Sequence, residues 1–266
     1  MDRALNRHAL HCAVVNTTLP LRAIVLAAGR GERMRPLTDS TPKPLLPVRG
    51  RPMIEWHLDA LARDGVTEVL INTAWLEEQF PAVLGDGGRF GLRLRYSHEG
   101  RDFGAALETA GGIASALDWL TEGGRDVFWV VSGDIWAPDF RFDAALAARF
   151  SASGLAAHLW LVPNPPYHPQ GDFGLGAARP DLAPDAALGV SGAADRPTLT
   201  YANLALLRAE LLRHIAPGTR AALGPLLHQA MAAGRISVQP CTGRWANVGT
   251  PAQLAELSGS APDDAA

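Results

Sequence analysis

The sequence predicts an α/β protein built on a doubly wound sheet, and three observations carry that expectation. Strand-sized apolar runs alternate with amphipathic stretches from Ala23 to Val131. The first run, Ala23 to Ala28, is uninterrupted and passes straight into glycine-rich sequence, as in a strand covered on both faces of a parallel sheet. The 266 residues suffice for one large domain with a well-buried core.

The elements follow in order. Pro52 opens a helix whose Ile54, Leu58, Leu61 and Ala62 share one side, and Glu68 to Asn72 reads as the next strand. A helix near Leu76 to Leu84, a strand near Leu92 to Tyr96, a helix from Glu108 to Leu120 and a strand at Asp126 to Val131 continue the alternation. Beyond Asp134 the pattern loosens: a helix near Phe142 to Phe150 and a strand at Leu155 to Val162 precede a Pro/Gly/Asp-rich segment, Asn164 to Pro197. Strand-like Thr198 to Leu207, a helix near Thr219 to Ala233, strands at Arg235 to Gln239 and Trp245 to Val248, and a short helix opened by Thr250-Pro251 complete the chain. The expected organisation is a single domain over 21–257, a loose extension at 1–20 and a frayed tail at 258–266.

Composition narrows the class of partner. The formal net charge is −3, and the arginines are interspersed with acids rather than gathered in a stripe, which argues against a nucleic-acid binder. Cys12 and Cys241 stand far apart without metal-ligand spacing, so no disulfide framework or zinc site is expected and a reducing cytoplasm fits. The opening residues are interrupted by His8, His11 and Asn16 and make a poor signal peptide, and no apolar run is long enough for a membrane span. A monomer acting on small molecules is the expectation.

Chemistry concentrates in Leu26 to Val48, LAAGRGERMRPLTDSTPKPLLPV. Ala28, Gly29 and Gly31 follow a strand and let backbone amides approach phosphate oxygens, which a bulky side chain would hold away. Neither a Walker loop nor a dinucleotide fingerprint fits, because no G-x-x-x-x-G-K-[ST] is present and Met34 fills the third glycine position. Arg33 and Lys43 instead flank the loop. Attack at the α-phosphorus of a triphosphate builds charge on non-bridging oxygens and on the leaving pyrophosphate, and fixed cations there lower the barrier. Arg33 can fork across two oxygens, while Lys43, the only lysine in the chain, is a point charge stiffened by Pro42 and Pro44. Asp134, just past an apolar strand, is a hard oxygen donor where open α/β sheets bind ligands and suits magnesium. The histidines show no metal spacing, and an anionic phosphate nucleophile needs no His base.

The segment resembles the G-x-G-x-R-(L/M)-x-P-x-T-x-x-x-P-K signature of the sugar-phosphate nucleotidyltransferases at Gly29, Gly31, Arg33, Met34, Pro36, Thr38, Pro42 and Lys43. ALETAGG, SGDIW, NPPYHPQGDFGL and GRWANVGTPAQL look most like the branch that joins UTP to N-acetylmuramate 1-phosphate in cell-wall sugar recycling, and the resemblance runs from Leu21 to Leu257. It implies a Rossmann-like, mixed but mainly parallel sheet flanked by helices, the nucleotide-diphospho-sugar transferase fold. It implies Arg33 and Lys43 as catalytic cations and a nucleotide site of Ala28, Gly29, Gly31, Glu32, Arg33, Lys43, Glu108 and Gly111. Ser132, Gly171, Asp172 and Asn203 are implied as sugar contacts, and Asp134 and Asn247 as ligands for Mg2+. Two positions depart from the family pattern: Asn247 stands where a second aspartate is usual, and Ser132 where asparagine is more common. An amide oxygen coordinates magnesium without anionic charge, so weaker metal binding or a wetter shell is expected. The rival expectations are a mannose 1-phosphate guanylyltransferase, a glucose 1-phosphate uridylyl- or thymidylyltransferase, and a non-catalytic nucleotide sensor.

Overall fold

The computed structural model describes residues 21–178, 188–191 and 198–259. In chain order the strands and helices are β1 Ala23–Leu26, β2 Pro47–Val48, β3 Arg51–Pro52, α1 Met53–Arg63, β4 Glu68–Thr73, α2 Gln79–Leu84, β5 Arg93–His98, α3 Glu99–Phe103, α4 Glu108–Ser115 and α5 Leu117–Thr121. They continue with β6 Val127–Ser132, β7 Ile135–Trp136, α6 Ala144–Ala152, β8 Ala157–Val162, β9 Phe173–Ala178, β10 Leu188–Ser191, β11 Thr198–Arg208, α7 Leu223–Ala232, β12 Ile236–Pro240, β13 Ala246–Asn247 and α8 Pro251–Gly259.

One nine-stranded sheet organises the chain in the order β5-β4-β1-β6-β11-β8-β12-β10-β9. β5, β4, β1 and β6 run parallel, β11 lies antiparallel to both β6 and β8, and β12 is parallel to β8. The sheet is mixed as expected, with the parallel half first in the chain. Alternation along β1 sends Ala23 and Val25 to one face and Ile24 to the other. The first face packs Ile54, Leu58 and Leu61 of α1, Phe80 of α2 and Phe150 of α6; the second packs Ile113 of α4, Leu120 of α5 and Leu227 of α7. Each such fully buried side chain contributes roughly 1.5–3 kcal/mol by leaving water. A third cluster of Met34, Val48, Met53, Trp136, Val248 and Leu254 seats α8 beneath the glycine loop.

After β1 the chain builds β4 and β5 on one side and then returns to place β6 on the other, so β1 and β6 flank the switch in strand order. Ligands of open α/β sheets bind outside the carboxyl ends of strands at such a point. Leu26, Asn72 and Ser132 mark those ends.

Several elements differ from their sequence outlines. The helix expected over Glu108 to Leu120 is two helices broken at Ala116. The helix expected from Thr219 starts at Leu223, because Ala221 runs against the entrance of α4, accepting from Ala110 N and Gly111 N and donating to Leu107 O. The helix expected from Leu76 starts at Gln79, since Leu76 takes a positive φ of 48°. Within the Pro/Gly/Asp-rich segment β9 and β10 join the sheet edge. The tail outlined from 258 begins inside α8, which extends to Gly259, while residues 1–20 and 260–266 lie outside the described residues.

Candidate active site

The loop after β1 closes on itself. Gly31 takes φ 67°, its carbonyl accepts from Thr38 Oγ1 at 2.9 Å, and a Cβ there would stand 3.1 Å from Thr38 Cγ2 and 3.2 Å from Lys43 Cβ. Glycine is required by both backbone and space. Gly29 has nothing within 4 Å of its would-be Cβ, which projects into the open cleft. Trp75 Nε1 donates to Thr38 O at 2.9 Å and Arg30 stacks over the same indole at 4.0 Å, so the loop is clamped to the end of β4.

Lys43 lies in a short turn, buried to 7% exposure, and its Nζ donates to Asp134 Oδ2 at 2.8 Å. Gly133 makes that approach possible, for a Cβ at 133 would meet Leu26 O at 3.0 Å and Pro44 Cγ at 3.2 Å. The Asp134 loop is held from beneath by His57 of α1, whose Nε2 lies 2.7 Å from Ile135 O. Burial drives the His57 imidazole down to about 4, against the raising effects of the Ile135 carbonyl and Asp134.

Asn247 reaches the same place by strand pairing. β13 lies antiparallel to β7 with Asn247 opposite Ile135, and Val248 N donates to Asp134 O at 3.1 Å. Burial pushes the Tyr167 phenol up, against the lowering influence of the nearby Asn247 side chain, while Asn247 Oδ1 is buried with no partner. A buried amide oxygen without a partner is a hard donor of the kind a divalent cation takes. Among the described residues no group of three or more His, Cys, Asp or Glu could hold a metal, so the remaining positions would fall to water and phosphate oxygens, as magnesium favours.

Two adjoining clefts result. The first, of about 460 Å³, is lined by Ala28, Gly29, Gly31, Glu32, Arg33 and Lys43, and by Glu108, Ser132 and Asp134. The second, of about 630 Å³, is lined by Asp172, Asn203, Asn247, Tyr167 and His168. Arg33, Glu108 and Thr109 line both, so Arg33 stands at the junction. Glu108 takes φ 61° and its Oε1 accepts from Arg220 Nε at 2.8 Å. Asn203 takes φ 60° inside a register shift of β11 between Tyr201 and Ala205, which turns it out of the ladder. Non-glycine residues in such conformations collect at ligand sites. Asp172 is held by Tyr201 N at 2.8 Å and by His168 Nε2 at 3.0 Å.

Three expected positions fall elsewhere. Gly111 does not line the cleft: a Cβ on it would lie 2.2 Å from Thr219 O, so its bareness lets that segment pack on α4. Gly171 does not line the second cleft either; with φ 60° it turns the chain past Asn164 and Thr198. Ser132 borders the first cleft rather than the second. Sequence reasoning passed over Asn72, Ala106, Thr109, Tyr167 and Arg220. Only Thr109 and Ala106, next to Glu108, and Tyr167, in the quoted NPPYHP string, carried a local signal.

The nucleotidyl transferase family model matches residues 22–181. The N-acetylmuramate alpha-1-phosphate uridylyltransferase of Neisseria meningitidis serogroup B is 45% identical over 240 residues, 89% of this chain and 96% of that protein. A UTP-glucose-1-phosphate uridylyltransferase of Synechocystis is 35% identical over 43% of this chain and 30% of its own length, and a mannose-1-phosphate guanylyltransferase of Mycobacterium tuberculosis is 38% identical over 42% and 30%. A Bacillus anthracis crystal structure assigned as a glucose-1-phosphate thymidylyltransferase superposes with a TM-score of 0.69 at 21% identity, covering 90% of this chain and 94% of that one, and shares the fold. By the family model and the near full-length relative, the chain belongs to the nucleotidyl transferase family, whose members here are sugar-1-phosphate nucleotidyltransferases.

Proposed function

We propose that this protein transfers a uridylyl group from UTP to N-acetylmuramate 1-phosphate, releasing pyrophosphate and forming UDP-N-acetylmuramate for cell-wall sugar recycling. The Neisseria relative's activity, with coverage of nearly both whole chains, supports the substrate pair. The observation that carries the chemistry is the convergence of Lys43, Asp134, Arg33 and the bare Gly29 on one cleft that opens into a second.

A phosphate oxygen of the sugar 1-phosphate, seated in the second cleft, attacks the α-phosphorus of UTP in the first. The new P–O bond forms in line with the breaking bond to the β-phosphate, pyrophosphate leaves with the bonding electrons, and no covalent enzyme intermediate is needed. Arg33 at the junction is placed to meet phosphate oxygens of both substrates, and Lys43 the α-phosphate region. Such preorganised donors are each worth about 10²–10³ in rate. The Lys43 contact holds Asp134 in position. Asp134 and Asn247 would hold magnesium, which would supply charge neutralisation at the phosphates. Tyr167, His168, Asp172 and Asn203 offer the polar wall for sugar hydroxyls.

Residues 21–257 are read as one domain that works as a monomer. Among the described residues no helix is long and apolar enough to cross a membrane. Pyrophosphate release with magnesium, UTP, GTP or TTP, and a panel of N-acetylmuramate, mannose and glucose 1-phosphates tests the reading. The highest kcat/KM is expected for UTP with N-acetylmuramate 1-phosphate; a higher value for another pair overturns the substrate assignment, and UTP binding without turnover overturns the enzyme.

A further inference from the structure

Asn72 near the end of β4 and Glu99 at the start of α3 are 2% and 1% exposed. Asn72 Oδ1 accepts from Ala27 N at 2.8 Å, Asn72 Nδ2 donates to Glu99 Oε1 at 2.8 Å, and Glu99 Oε2 accepts from Leu107 N at 2.8 Å. This relay ties the loop leaving β1 to the segment entering α4. Both segments wall the first cleft, the one through Ala27, Ala28 and Gly29, the other through Ala106, Glu108 and Thr109. Gly112 completes the arrangement, since a Cβ there would lie 2.5 Å from Asn72 Nδ2 and 2.5 Å from Glu99 Oε1. The pair fits only over bare backbone.

The wall needs such an anchor. Glu108, directly after Leu107, is held at φ 61°, a conformation that is strained for a residue with a side chain and persists only when its surroundings impose it. Burial pushes the Glu99 carboxyl up, and the bonds from Leu107 N and Asn72 oppose that push. Neither Lys43 nor Asp134 hydrogen-bonds any member of the relay.

We infer that Glu99, acting through Asn72 and Leu107, is a positioning residue that fixes the spacing of the two walls of the nucleotide cleft, and so sets affinity for the nucleoside triphosphate apart from the chemical step. The inference rests on the reading of the first cleft as the triphosphate site. Glu99→Gln is nearly isosteric but turns one acceptor into a donor, so either Asn72 Nδ2 or Leu107 N faces another donor. Gly112→Ala pushes on the same pair from the other side.

The test is steady-state kinetics with UTP and N-acetylmuramate 1-phosphate varied separately, with equilibrium titration of UTP and a thermal melt for each variant. For both variants KM and Kd for UTP are expected to rise about tenfold, with kcat within about threefold of the parent and KM for the sugar phosphate unchanged, the scale of one lost hydrogen bond. UTP affinity unchanged in either variant, or a fall in kcat and melting temperature with a rise in both KM values, overturns the positioning role. A parent protein that binds no UTP overturns the proposed function instead.

Discussion

The Lys43 Nζ and Asp134 Oδ2 atoms meet at 2.8 Å across 91 positions of sequence, joining the glycine loop to the end of β6. The lysine side chain is 9% exposed and the aspartate 36%, so the pair is only partly shielded from water. Asp134→Asn leaves the buried ammonium without its counter-charge. A loss of about 1–3 kcal/mol in chemical denaturation is expected, below the full cost of breaking a wholly buried pair, with turnover lowered about 10²-fold or more. Unchanged stability and turnover would show that the contact does nothing.

Asn247 Oδ1 is a buried acceptor without a partner, on the strand that pairs with Ile135 just after Asp134. Asn247→Asp adds a second anion where only an amide dipole stands. The magnesium concentration for half-maximal pyrophosphate release is expected to fall about tenfold, a shift typical of changing a metal site's immediate surroundings. The metal-free variant is expected to be less stable than the parent, because two carboxylates then face each other. An unaltered magnesium dependence contradicts a role for position 247 in metal binding.

Gly29 and Gly31 are separated by one residue yet answer to different constraints. Gly31→Ala forces a Cβ into φ 67° and against Thr38 and Lys43, so a loss of about 1–2 kcal/mol and a displaced lysine are expected. Turnover should fall about 10- to 10²-fold. Gly29→Ala meets nothing within 4 Å, so stability should hold while KM for UTP rises. Equal behaviour of the two variants in melting and kinetics would refute the distinction.

His57 and His158 are buried, and desolvation lowers each imidazole from the usual 6.5 to about 4. Both are neutral in the folded protein, and the unfolded chain takes up protons first as pH falls. Stability is therefore whole above pH 6.5 and is lost progressively as pH drops from 6.5 toward 4, by roughly 3 kcal/mol per histidine at the lower end. Urea midpoints at pH 7.5 and pH 5 check this, and His158→Gln should flatten the dependence. A midpoint that rises toward pH 5 gives the wrong sign.

The parallel half of the sheet was legible because its strands are continuous apolar runs and its helices carry period-3.6 stripes such as Ile54, Leu58 and Leu61. The phosphate loop was legible for a different reason: Gly29, Gly31, Arg33 and Lys43 act within one short stretch, so spacing alone encodes the site. β9 and β10 were not, since FGLGAA and LGVS are short and interrupted by glycine, with little apolar pattern. The Asn72–Glu99 relay and the Arg220–Glu108 pair were invisible because their partners lie 27 and 112 positions apart and meet only through topology. Gly111 was misplaced for the converse reason: in a helix entrance a bare glycine signals close packing or a ligand alike, and only the Thr219 carbonyl above it decides.

The central claim is that the Lys43 ammonium stabilises charge developing at the α-phosphate. Its most direct test is the turnover number of Lys43→Ala at saturating UTP, sugar phosphate and magnesium, with folding checked by circular dichroism. A fall of about 10²-fold or more in a folded variant is the expected result. Turnover within about threefold of the parent would contradict the claim, since a preorganised donor cannot be removed from a transition state at so small a cost.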